Sequence, residues 1–180
     1  TYAEHEDTMA WADYVAWQHG VLKATWQIIS DKGAIFYNHK PRVIGEKLWL
    51  PLELNPGLPL RQIVIWARAG GINFNTTAFV PTHEWIMVFA KDGWRLKSRG
   101  ASGIGDVWRI SQEPNAGHPA PFPVALPTKA IDATDPKLVL DPFSGIGSTL
   151  CAARLAGVEA IGIEKSERYC ELAAKRLQNE

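Results

Sequence analysis

Core-facing positions recur along this chain with two different periods. Trp11, Tyr14, Val15, Gln18, Leu22, Thr25, Trp26 and Ile29 fall three and four residues apart, which predicts a helix over residues 10–30 with one large aromatic face. Asp31, Lys32 and Gly33 end it, and residues 34–38 read as a strand with a polar tip. Residues 60–66 and 84–90 are long and nearly all apolar, the pattern of strands buried beneath flanking helices. Pro51, Pro56 and Pro59 interrupt residues 39–60, where the pattern supports only a short helix and a proline-rich connection. A helix is expected again over Val124 to Ile131, as far as Pro127 allows.

The clearest pattern lies near the C-terminus. Leu138, Val139 and Leu140 run into Asp141, then a turn containing Gly145 and Gly147, then the helix-prone residues 150–156. A second apolar run, residues 160–163, ends in Glu164, 23 residues after Asp141. This is a βαβ unit with an acid at the carboxyl end of each strand. The glycines can take positive φ and admit a ligand close to the backbone, while Ser148 and Thr149 are placed to cap the helix. The helix N-terminus offers N–H donors and partial positive charge. An acid at the tip of the neighbouring strand suits ribose hydroxyls. Residues 141–149 with Glu164 therefore read as a site for a nucleoside-containing cofactor, set against a plain α/β layer whose acids only cap helices.

The chemistry of the loop narrows the cofactor. A dinucleotide loop carries G-x-G-x-x-G, but the third position here is Leu150. An acid directly before the loop repels a pyrophosphate and suits an amino group. S-adenosylmethionine, which has an amino group and no pyrophosphate, fits that description and NAD does not.

The stretch Asp141-Pro142-Phe143-Ser144-Gly145-Ile146-Gly147-Ser148-Thr149 resembles the cofactor loop of the DNA amino-methyltransferases, which modify adenine N6 or cytosine N4. Upstream, His118-Pro119-Ala120-Pro121-Phe122-Pro123 resembles the His-Pro segment that precedes the loop in the permuted β group. Residues 161–164 with Tyr169 and Ala173 also match. The resemblance implies a Rossmann-like α/β fold, with a mostly parallel central sheet and helices on both faces, in a single methyltransferase domain over residues 1–180. It implies S-adenosylmethionine contacts from His118, Pro119, Phe122, Asp141, Phe143, Ser144, Gly145, Gly147, Ser148, Thr149 and Glu164. Asp141 would hold the methionine amino group, Glu164 the ribose hydroxyls, and Phe122 the adenine ring. It also implies double-stranded DNA, with the target base flipped out, as substrate. Small recognition loops within residues 67–117 would then read the sequence. Asn73, Phe74 and Asn75 could offer base-edge hydrogen bonds and a stacking face. A short strand at residues 106–110 is implied as well.

Charge alters this picture little. The chain is neutral overall, but Lys91, Arg95, Lys97, Arg99 and Arg109 face only Asp92 and Asp106 in one stretch, where Lys97 and Arg99 can reach phosphates. A solvated loop would read the same way. With 180 residues there is material for a real core. No apolar run is long enough for a bilayer, so no membrane partner and a cytoplasmic location are expected. Cys151 and Cys170 read as core thiols, and the five histidines show no metal-ligand spacing.

One family feature is missing. The catalytic tetrapeptide of the amino-methyltransferases contains a Pro-Pro pair, and no such pair occurs in these residues. In the β-group order it precedes the first helix, so it is expected N-terminal to Thr1 in a longer protein, and the catalytic residues stay unassigned. Other readings are an inactive DNA-binding remnant, or a methyltransferase for RNA or another substrate. Homodimer formation and a cognate restriction enzyme are compatible with the sequence without being required by it.

Overall fold

A computed structural model describes residues 9–44, 46–68, 70, 76–112 and 122–179. The chain divides into two compact units, residues His5–Arg95 with Gly105–Arg109, and residues Leu96–Ile104 with Ile110–Glu180.

The first unit is built on a four-stranded sheet. Its strands are β1 (Ala34–His39), β4 (Leu60–Ala67), β5 (His83–Ala90) and β6 (Val107–Arg109), in the order β1-β5-β4-β6. Strand β5 runs antiparallel to both β1 and β4, and only β6 runs parallel to β4. The sheet that the resemblance implies as mostly parallel is, in this unit, a mixed one. The connection from β4 to β5 shows no helix among its described residues, and a loop without a crossover returns the chain antiparallel. Two-sided burial gives β5 its apolar run: Ile86 through Ala90 are all buried.

Helix α1 (Trp11–Ile28) packs Leu22 against Met87 and Phe89, with Trp26, Ile35, Tyr37 and Ile63 around them. Its aromatic face is only partly core, because Trp11 and Trp17 stay exposed. Residues 39–60 hold a hairpin, β2 (Arg42–Ile44) with β3 (Lys47–Trp49), and a single 3-10 turn, Pro51–Leu54. Three-residue strands are too short to show an alternation, and the turn places non-glycine Glu46 at φ 63°.

A half-buried polar chain ties α1 to β1. Tyr37 donates to Gln18 Oε1 at 2.8 Å, and Gln18 Nε2 donates to the Tyr14 hydroxyl at 3.0 Å. His39 Nδ1 lies 3.2 Å from the Lys40 carbonyl, which can only accept, so Nε2 accepts from Tyr14 at 3.0 Å. Acceptance by Nε2 requires neutral His39, whereas the Nδ1–H bond to the Lys40 carbonyl is kept by either form. Burial lowers its pKa from 6.5; the cations of Arg42 and Lys40 add to the shift and the Lys40 carbonyl opposes it. The unfolded chain therefore takes up the proton more readily, and stability is lost as pH falls through about 6.5 into the folded value below it. The melting temperature is expected to drop between about pH 7.5 and 5.5, and His39→Gln should shrink that drop. The same drop in the variant would remove His39 from the account.

The second unit is the βαβ motif of the sequence. Strands β7 (Leu138–Asp141) and β8 (Glu159–Gly162) pair in parallel, with Asp141 opposite Gly162, and α4 (Ser148–Leu155) connects them. Two further helices, α3 (Ala125–Thr134) and α5 (Glu167–Asn179), contribute to this unit. Pro127 sits in the first turn of α3, where its missing N–H costs nothing, and the helix continues past Ile131. Ala152 and Ala153 let α4 approach Ile131 and Val139 closely. A one-turn helix, α2 (Arg99–Ser102), forms within the basic stretch, because Ser98 Oγ caps it by accepting from the Ala101 N–H at 3.1 Å. Of the two cysteines Cys151 is buried, but Cys170 is exposed rather than a core thiol. Among the described residues no helix is long and apolar enough to cross a membrane.

Candidate functional site

The site candidates of the second unit gather where β7 and β8 end. Backbone bonds lace the two ends together: Ile163 N–H donates to the Asp141 carbonyl at 2.8 Å, and Ser144 N–H donates to the Ile163 carbonyl at 3.0 Å. The loop from Asp141 to Gly147 folds back on itself through Gly147 N–H to the Ser144 carbonyl at 2.7 Å. Gly145 and Gly147 both take positive φ, at 50° and 83°. At Gly147, the N-cap of α4, glycine is favoured twice, by the left-handed backbone and because a Cβ there would stand 3.1 Å from Ala173 Cβ.

Both acids are oriented by donors from the chain itself. Asp141 Oδ1 accepts from Phe143 N–H at 3.0 Å, and Oδ2 accepts from the Thr149 hydroxyl at 2.5 Å. Glu164 Oε2 accepts from Gly145 N–H at 2.9 Å and Oε1 from Ser166 N–H at 2.8 Å. Glu164 therefore clips the glycine loop to the start of α5. A carboxylate offers about four acceptor positions, so two intramolecular bonds leave each acid room for two more. Both side chains are half-buried, within reach of a ligand.

Ser148 and Thr149 do not cap α4. No side chain caps this helix, and the two hydroxyls are committed elsewhere: Thr149 to Asp141, and Ser148 to the Phe122 carbonyl at 2.8 Å. A hydroxyl at N1 or N2 bonds outward when a stronger or buried acceptor stands beside it. Phe143 is half exposed at the loop's rim, whereas Ser144 and Ser148 are buried beneath it. Phe122 is brought to the loop through its carbonyl. His118 and Pro119, and the DNA-facing candidates Asn73, Phe74 and Asn75, lie outside the described residues.

Lys97 and Arg99 are exposed on a segment pinned by Lys97 N–H to the Ala133 carbonyl at 2.9 Å and by the Ser98 cap. They are thus held outward on ordered backbone. Two contributors were not read from the sequence. Gly162 carried a signal, a glycine inside a strand, and a Cβ there would meet Leu150 Cδ1 at 2.8 Å and Ser144 Cβ at 2.9 Å. Arg176, whose Nη1 donates to Ser148 Oγ at 3.3 Å, carried none. Ser166 reads from the sequence as the cap of the last helix, and its Oγ accepts from Tyr169 N–H at 3.4 Å while its own N–H holds Glu164.

These features place the chain among Rossmann-like α/β proteins of the methyltransferase type. Two solved structures share the fold. The cytosine-N4-specific PvuII DNA methyltransferase superposes with a TM-score of 0.79 at 18% identity, over 97% of this chain and 74% of that one. The M1.HpyAVI–SAM complex gives 0.70 at 21% identity, over 92% and 82%. A family model described as DNA methylase matches residues 2–175, and the chain belongs to that family.

Type II methyltransferase M.BglII of Bacillus subtilis is 24% identical over 209 residues, covering 93% of this chain and 58% of the relative. Type II methyltransferase M.SmaI of Serratia marcescens is 39% identical over 157 residues, covering 77% of this chain and 53% of the relative. The chain thus spans little more than half the length of these two relatives.

Proposed function

We propose that the protein transfers a methyl group from S-adenosylmethionine to an exocyclic amino nitrogen in DNA, cytosine N4 or adenine N6, at specific sites. The observation that carries this reading is the pair of oriented carboxylates, Asp141 and Glu164, at the ends of two parallel strands joined by a glycine loop, in a chain of the DNA methylase family.

The donor set fits the cofactor. Asp141, held by Thr149 and Phe143 N–H, keeps acceptor positions for the cationic amino group of the methionine moiety. Glu164 keeps positions for the two ribose hydroxyls. Ser144, Gly145 and Gly147 shape the floor, Phe143 its rim, and Phe122 the side assigned to the adenine, a role the family resemblance extends to His118 and Pro119. When bound, S-adenosylmethionine supplies an electrophilic methyl group on a sulfonium. The chain's own contribution described here is positioning, and fixed geometry lowers the barrier of a two-reactant transfer.

On the DNA side, the proposed roles are phosphate contacts for Lys97 and Arg99 and, from the family resemblance, base reading for Asn73, Phe74 and Asn75. The target base leaves the duplex to present its amino group, as enzymes acting on a base require. Residues 1–180 form part or all of one methyltransferase domain. Relatives named Type II methyltransferases support a modification role beside a restriction enzyme, inside the cell where the DNA lies.

The test is transfer of labelled methyl from S-adenosylmethionine to unmethylated DNA by the full gene product. Label on DNA supports the reading. Label on RNA alone would replace it.

A further inference from the structure

Helix α5 reaches the cofactor loop from behind at two points one turn apart. Ala173 is buried against Gly147, so close that a Cβ on the glycine would stand 3.1 Å from Ala173 Cβ. Three residues on, along the same helix face, Arg176 Nη1 donates to Ser148 Oγ at 3.3 Å. Ser148 is 3% exposed, so water does not compete for its hydroxyl. A guanidinium can only donate, so the single Ser148 proton goes to the Phe122 carbonyl, 2.8 Å away. Three segments far apart in sequence therefore meet at one buried oxygen, and the charge of Arg176 polarises the bond that Ser148 makes. Pro123, next to Phe122, is fully buried and fixes the direction in which the chain leaves this anchor.

We propose that Arg176 is a positioning residue for S-adenosylmethionine: through Ser148 it fixes the Phe122 backbone against the glycine loop and sets the width of the cofactor site. The inference rests on the cofactor reading above. Arg176 touches no reacting atom. Its effect belongs to cofactor affinity and not to the transfer step.

The test uses the full gene product, with S-adenosylmethionine affinity read by calorimetry and turnover read separately. Arg176→Ala should weaken cofactor binding about fivefold, the scale of one long, partly buried hydrogen bond. Turnover at saturating cofactor and DNA should stay within about twofold. Arg176→Lys, which returns a donor, should recover part of the affinity and covers the case in which the alanine variant folds poorly.

The double variant Arg176→Ala/Ser148→Ala should bind no worse than Ser148→Ala alone, because both substitutions break one relay. The proposal is overturned by wild-type affinity in Arg176→Ala, by additive losses in the double variant, or by a loss confined to turnover. Absence of cofactor binding by the wild-type protein overturns the parent reading, and the relay falls with it.

Discussion

Asp141→Ala is expected to weaken S-adenosylmethionine binding by about tenfold to a hundredfold. The proposal gives this carboxylate the cofactor's amino group, and a charge-assisted hydrogen bond contributes about 1.5–3 kcal/mol. Its orientation is fixed in advance by Thr149 and by Phe143 N–H, so little ordering cost is deferred to binding. Alanine also leaves the Thr149 hydroxyl and the Phe143 N–H without this acceptor. Asp141→Asn separates the two effects: it keeps one acceptor oxygen and the shape, and loses the charge. Calorimetry should therefore rank wild type above the asparagine variant, and that above alanine. Unchanged affinity in the alanine variant would remove Asp141 from the site.

Gly162→Ala should cost stability and cofactor affinity together. The added methyl would lie 2.8 Å from Leu150 Cδ1 and 2.9 Å from both Cβ and Oγ of Ser144. Leucine can turn its end away, but Ser144 Cβ moves only with the loop backbone. Forcing a methyl into such a packed contact costs about 1–3 kcal/mol. Ser144 N–H bonds the Ile163 carbonyl and its own carbonyl accepts from Gly147, so displacement there travels along the glycine loop. Denaturant unfolding should show a lower midpoint, and calorimetry a weaker S-adenosylmethionine complex. A variant with normal stability and affinity would show that the loop absorbs the methyl freely.

The βαβ unit was legible because each of its parts is local. Leu138–Asp141 is a short apolar run ending in an acid, the glycines follow at once, and Glu164 closes the second run. What escaped depends on contacts between distant residues. Ser148 and Thr149 look like caps in any N-terminal window. Their hydroxyls bond elsewhere because Asp141 and the Phe122 carbonyl arrive from other segments. Arg176 reads as an ordinary charged position near the end of a helix, and only the fold brings it to Ser148.

Strand direction escaped as well. An apolar run buried on both faces looks the same in parallel and antiparallel neighbours, and β5 is antiparallel to both of its partners. The β2–β3 hairpin was lost to shortness. Burial of Cys170 was inferred from its helix, yet it lies on the exposed side of α5.

The central claim is methylation of an exocyclic amino group in DNA. Nucleoside mass spectrometry on unmethylated DNA, incubated with the full gene product and S-adenosylmethionine, tests it most directly. The account predicts a new peak of N4-methylcytosine or N6-methyladenine that depends on the cofactor and falls sharply with Asp141→Ala. Methylation at carbon 5 of cytosine, or cofactor binding with no methylated nucleoside in DNA, would contradict it.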